Sequence, residues 1–162
     1  NIITKIKDTK TTYKHKHQIG SFFFSSNSCI HTNTHVIMFC YFHISIAGSE
    51  PQTVVFELYN DKCPKTCANF IAICQAPGKA KRGGDEATYR NTEFHRVIPQ
   101  FMIQGGDFTS FDGKGGFAHP STNDGKLTFD DECFDISHDQ AGILSMANKG
   151  RYSTDNKTRK WT

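Results

Sequence analysis

The sequence predicts a mainly β domain, an antiparallel sheet closing on itself, and three observations carry that expectation. Short runs of β-branched and aromatic residues recur from Val36 onward. One segment, from Pro64 to about Gln75, carries its apolar residues at helical spacing. Glycine-rich turns punctuate the remainder, at Gly105-Gly106 and from Gly113 to Gly116. Several strands, a single helix and turns of this kind are the signature of a sheet that curls and closes.

Residues 1–35 are unlike the rest. They are rich in Lys, Thr, Ser, Asn and His, with no sustained period of 3.6 or 2. Such a composition buries too little apolar surface to offset ordering, so it predicts a disordered or non-native leader. His15, His17, His31 and His35 read as polar filler, because no structured spacing accompanies them; a metal-binding tract is the alternative. Phe22-Phe23-Phe24 is far short of the ~18–20 apolar residues a membrane helix needs.

From Val36 the texture changes. Val36 to Ile46 is dense in β-branched and aromatic residues, partly alternating around His43 and Ser45, and predicts a strand. A turn over 48–52 leads to a second strand, Thr53–Leu58. Asp61 to Pro64 opens a helix, with Pro near the first helical position. It stops before Pro77-Gly78, and residues 77–91 are loop by their glycines and charges. Strands follow near 93–98 and 101–105, then a polar insert from His119 to Lys126, then strands at 127–129 and 142–147.

A length of 162 residues suits one domain with a sizeable core. Residues 1–50 hold five lysines against Asp8 and Glu50, whereas residues 51–162 hold 14 basic and 14 acidic side chains. The net positive charge therefore belongs to the leader, and nothing in the domain predicts nucleic-acid binding or a membrane partner. Of the six cysteines, Cys63, Cys67 and Cys74 fall with Phe70 at helical offsets of four, three and four. They read as the buried face of one helix, with zinc as the alternative. A reduced, cytoplasmic setting follows from the lack of a disulfide-dense pattern.

The stretch Phe94-His95-Arg96-Val97-Ile98-Pro99-Gln100-Phe101-Met102-Ile103-Gln104-Gly105-Gly106-Asp107 carries the chemistry. It sets one arginine, two large apolar side chains and one amide on a hairpin-like pair of strands. It contains no pair of acids, no metal-ligand spacing and no nucleophile beside a base. Rotation about a prolyl peptide bond suits such a set, since no covalent bond breaks and no cofactor or metal is needed. The barrier of about 18–20 kcal/mol comes from delocalisation of the nitrogen lone pair, and uncatalysed exchange takes tens to hundreds of seconds. In the twisted transition state the lone pair returns to nitrogen. A donor aimed at the amide and a water-poor pocket both favour that state. A ten-thousandfold gain needs about 5.5 kcal/mol, and one charge-assisted hydrogen bond supplies ~1.5–3 kcal/mol, so the two devices act together.

This stretch closely resembles the central motif of the cyclophilins, the peptidyl-prolyl cis-trans isomerases. Val55-Phe56-Glu57-Leu58-Tyr59 and Cys63-Pro64-Lys65-Thr66 with Asn69-Phe70 are similar to the family's early strand and first helix. Gly113-Lys114-Gly115-Gly116, Phe129-Asp130-Asp131-Glu132 and Gly142-Ile143-Leu144-Ser145-Met146-Ala147-Asn148 are similar to its later landmarks, in the right order. The resemblance covers roughly residues 40–150. It implies an eight-stranded antiparallel barrel capped by two helices, with a role in assisting protein folding. It implies proline-containing peptides or unfolded proteins as partners, and a cyclosporin-type inhibitor as a ligand. Arg96 matches the catalytic arginine; without the flanking motif, a salt bridge to Glu93 or Asp107 is the favoured reading. Phe101 and Met102 match the proline pocket, although such side chains on a strand are otherwise core. Gln104 matches the amide that orients the arginine. Ala147 and Asn148 match residues that bind the peptide N-terminal to the proline, with a turn role for Asn148 as the alternative. His95 and Gly113 match rim positions.

After Asn148 the resemblance stops. An Asn-Gly-Ser-Gln-Phe-Phe-like run would follow in the family, whereas this chain reads Lys149-Gly150-Arg151-Tyr152-Ser153-Thr154-Asp155-Asn156-Lys157. The expectation is therefore a partial cyclophilin-like domain over 36–150 and a basic divergent tail over 151–162. A C-terminally truncated barrel of that kind lacks its last strands and second helix. Two functions follow as alternatives: an isomerase, or a proline-peptide-binding module with weak or absent catalysis.

Overall fold

A computed structural model describes residues 2–5, 19–24, 28–31, 36–148 and 160–161, with side chains described over residues 37–148. The strands are β1 (Ile2–Lys5), β2 (Ile19–Phe24), β3 (Ser28–His31), β4 (Val36–Ile46) and β5 (Gln52–Leu58). Helix α1 (Pro64–Gln75) follows, then β6 (Arg96–Ile98), β7 (Met102–Gly105), β8 (Phe129–Asp130), β9 (Leu144–Met146) and β10 (Lys160–Trp161). A single 3-10 turn, Pro120–Thr122, lies in the polar insert. Among the described residues the regular structure is mainly strand, with one α-helix. Most of the leader and of the basic tail lies outside the described residues, and so do His15, His17 and His35.

The eight-stranded barrel implied by the resemblance is not what the described strands form. One sheet runs β6-β7-β1-β9, another joins β2, β4 and β3 with β5 on β4, and β8 pairs with β10. Among the described residues no sheet closes on itself. The reason lies in the pairings. β4 is 11 residues long, so β2 takes Phe42 to Ile46 and β3 takes Val36 to Phe39. Its residues Met38 to Ile44 also pair with β5. β4 thus has both edges filled, whereas β5 is paired only through β4 among the described residues.

Helix α1 forms where Pro64 fixes the backbone angle of the first turn and where no interior glycine or proline interrupts. It ends as Ala76 N–H bonds to the Ala72 carbonyl at 3.1 Å, because Pro77 has no N–H to continue the ladder. Its buried face carries Cys67, Phe70, Ile73 and Cys74. Cys63 is the half-buried residue just before the first turn.

The core is a run of aromatic rings. Phe56 meets Phe42 at 4.8 Å between centroids, Phe42 meets Phe70 at 5.7 Å and Phe70 meets Tyr89 at 5.6 Å. The run continues to Phe108 at 6.1 Å and Phe117 at 5.0 Å. Tilted and edge-on pairs of this sort add about 0.5–1.5 kcal/mol each beyond area burial. The run joins β4 and β5, through α1, to residues without regular structure. Ala87, Thr88, Tyr89, Thr92 and Phe94 are all buried, so the segment before the site is a structural wall, although its composition reads as loop.

Candidate functional site

The candidate site is a short hairpin. β6 and β7 pair antiparallel with Arg96 opposite Gln104, Val97 opposite Ile103 and Ile98 opposite Met102. Side chains alternate along a strand, and directly opposed residues share a face. Arg96, Ile98, Met102 and Gln104 therefore share one face. Ile103, on the other face, packs on the aromatic core. Residues Ile98 to Phe101 make the turn, closed by Phe101 N–H donating to the Ile98 carbonyl at 3.1 Å. Pro99 suits its second position, and the third, Gln100, carries φ +60°, a conformation that favours glycine.

Three of the expected residues, Arg96, Met102 and Gln104, thus share one face, and Phe101 lies in the turn. Met102 is 5% exposed and Phe101 is 55% exposed. Arg96 is exposed, and among the described residues it makes no ion pair. Lys114 and Asp112, at 3.9 Å, do form one. Pairing of Arg96 with Asp107 is ruled out by what Asp107 does instead.

Asp107 is 1% exposed and organises the loop that follows. Its Oδ1 accepts from Thr109 N–H at 3.1 Å, Thr109 Oγ1–H at 3.2 Å and Ser110 N–H at 2.9 Å. Its Oδ2 accepts from the N–H groups of Asp112, Gly113 and Gly115 at 3.2, 2.8 and 3.0 Å. Burial alone would push this carboxyl up. The backbone donors of Ser110, Gly115, Thr109 and Gly113 outweigh it and hold the group well below the usual carboxylate range. Asp107 was missed as a structural keystone of the site. Its signal was an Asp followed by Thr, Ser and three glycines, a composition in which an Asx-type turn is favoured.

The loop in turn meets His95. Gly113 has φ +89°, and a Cβ there would lie 2.5 Å from His95 Nε2, so the ring packs where only glycine leaves room. His95 and Gly113 are therefore neighbours. Both ring nitrogens of His95 are buried without a hydrogen-bond partner among the described residues. Burial lowers its pKa, opposed by the Asp107 charge. The imidazole packs as a wall between the hairpin and the loop.

Ala147 and Asn148 sit farther away. Strand order places β1 between β7 and β9, with Ile3 opposite both Gln104 and Ser145. Arg96, Gln104, Ile3 and Ser145 thus lie in a row across three strand spacings, about 14 Å at ~4.8 Å each. Ala147 lies two residues beyond Ser145; it is buried, and Asn148 is half-buried. A separate cavity of about 610 Å³ opens between β5, the first half of α1 and residues 132–148. Of the eight expected site residues, Asn148 lines it and the other seven do not. The cavity's lining mixes apolar side chains such as Phe56, Leu58 and Phe70 with the polar Glu132, His138 and Gln140.

A statistical model of the cyclophilin type peptidyl-prolyl cis-trans isomerase/CLD family matches residues 41–160. The chain is 44% identical over 115 residues to the NK-tumor recognition proteins of Mus musculus and of Homo sapiens. That alignment covers 70% of this chain and 8% of each relative, so the chain spans a small part of the length of the curated relatives it matches. No solved structure matches.

Proposed function

The chain belongs to the cyclophilin-type peptidyl-prolyl cis-trans isomerase family, and on that premise we propose that it catalyses rotation of X-Pro bonds in peptides and unfolded chains. We place that function on residues 36–150. The observation that carries the reading is the cross-strand pair of Arg96 and Gln104, with an exposed guanidinium that makes no ion pair among the described residues. Arg96 presents a rigid, permanently charged fork to the twisting amide and stabilises the prolyl nitrogen or carbonyl as delocalisation is lost. Gln104, directly opposite, orients that fork. Phe101 and Met102 receive the proline ring and keep water from favouring the planar form. Ala147 and Asn148 hold the peptide N-terminal to the proline. The ~14 Å row from Arg96 to Ser145 corresponds to about four extended residues at ~3.3–3.6 Å each.

Exchange spectroscopy on a proline-containing peptide tests this reading. Arg96→Ala lowers the enhanced cis/trans exchange about 10–150-fold, the equivalent of one charge-assisted hydrogen bond. Arg96→Lys recovers little, since an ammonium lacks the planar fork. Exchange left unchanged by Arg96→Ala removes the catalytic assignment. The second reading, a binding module with little turnover, draws on the exposure of Phe101, which leaves the proline wall built on one side. Peptide-induced shifts at Phe101 and Gln104 without faster exchange select that module.

A further inference from the structure

Three thiols line the cavity beside α1: Cys63, just before the first turn, Cys133, next to Glu132, and Cys67, one turn into the helix and only 8% exposed. Cys63 and Cys133 are neighbours on the wall of that cavity, close enough for the ionisation of one to bear on the other. Glu132 fixes this meeting. Its Oε1 accepts from Lys65 N–H at 3.0 Å, and its Oε2 accepts from Thr66 N–H at 2.9 Å and Thr66 Oγ1–H at 2.9 Å. The residue after the clamp is therefore held against the residue that opens the helix. Both cysteines are half-buried and reduced. Cys40 and Cys74 are a second pair of neighbouring thiols in the core cluster, but they are 2% and 7% exposed. Of these two pairs, the one at the cavity is open to reagents.

We propose that Cys63 and Cys133 are a modification site, a thiol pair that closes reversibly to a disulfide by exchange with a small-molecule disulfide of the glutathione class. The Cys133 thiolate attacks one sulfur of the reagent, forming a mixed disulfide and releasing one small thiolate. The Cys63 thiolate then attacks Cys133 Sγ and releases the second. One protein S–S bond replaces two S–H bonds, two electrons pass to the reagent, and its two thiolates take up the two protons. Burial, and then the neighbouring Cys133 thiol, push the Cys63 thiol up to about 12. Cys63 therefore keeps its proton longer and serves as the resolving partner. The bond joins residues roughly 70 apart in sequence, a span over which cross-linking strongly restricts the unfolded chain.

Incubation of the full chain with oxidised glutathione, followed by peptide mapping, tests the site. A Cys63–Cys133 linked peptide forms, disappears with dithiothreitol, and raises the thermal midpoint by about 5–10 °C relative to the reduced chain. Cys63→Ser traps a glutathione adduct on Cys133. Repeating the reaction in concentrated urea controls for chance pairing, because the linked peptide then gives way to mixed pairings. A linked peptide equally abundant in urea overturns the proposal, as do separate adducts on Cys63 and Cys133 in the folded chain. Isomerase activity is not a readout here, so these outcomes do not depend on the function proposed for Arg96.

Discussion

Asp107 and Glu132 perform the same task in two regions, and the difference between them is instructive. Each carboxylate collects hydrogen-bond donors that regular structure leaves over. Asp107 gathers six, all from residues two to eight positions ahead of it. Glu132 gathers three, from residues 66 and 67 positions behind it. The first builds a local loop against the site. The second caps α1, whose own Cys63 supplies no side-chain cap. A local cluster shapes a binding edge without help from the rest of the fold. A distant one ties two halves of the chain together and exists only once both are folded.

The largest expected effect belongs to Asp107. Replacing it with Ala leaves several buried N–H groups without acceptors and costs about 3–5 kcal/mol, measurable as a fall in the denaturant midpoint. The same residue sets the acid limb. Its folded pKa is depressed, so its contribution is complete above the unfolded value of about 3.9 and is lost as pH falls towards the folded value. Asp107→Asn therefore gives a lower but flatter stability curve below about pH 4. An acid limb identical to the parent's shows that other carboxylates set it.

Glu132→Ala comes next, at about 1–2 kcal/mol. The cost is smaller because water reaches the freed N–H groups of Lys65 and Thr66, whose amide exchange should accelerate selectively. If exchange quickens throughout the chain, the clamp holds the whole fold and not just the helix end. The smallest effect is at Gln100. Its φ of +60° is relieved in Gln100→Gly, which should stabilise the hairpin by about 0.5 kcal/mol after the entropic cost of glycine is counted. A lower thermal midpoint for that variant would mean that the Gln100 side chain contributes contacts worth more than the strain.

The legible parts were those with strong local signals. β4 spans the residues its β-branched and aromatic density predicts, and α1 ends at Gln75 because Pro77 forbids continuation. The strands near 93–98 and 142–147 proved shorter, at Arg96–Ile98 and Leu144–Met146, since short apolar runs do not mark where pairing stops. The burial of Tyr89 and Thr92 in a charged, glycine-bearing stretch had no periodic signal at all. At the site, the hairpin-like pair of strands was legible, whereas the register that sets Arg96 opposite Gln104 is seen only in the strand pairing. Asp107 was considered only as a partner for Arg96. The eight-stranded barrel, carried over from resemblance, does not close among the described residues.

By itself the sequence determined the family, the long strand, the helix and the hairpin that carries the arginine and the amide. All of these follow from neighbours in the chain, through side-chain alternation, a proline at a helix start and a turn of fixed length. Only the tertiary structure decided where Glu132 reaches, which loop residues are buried, and which thiols meet. Those depend on contacts between residues tens of positions apart, whose closure entropy is offset only when the whole core assembles.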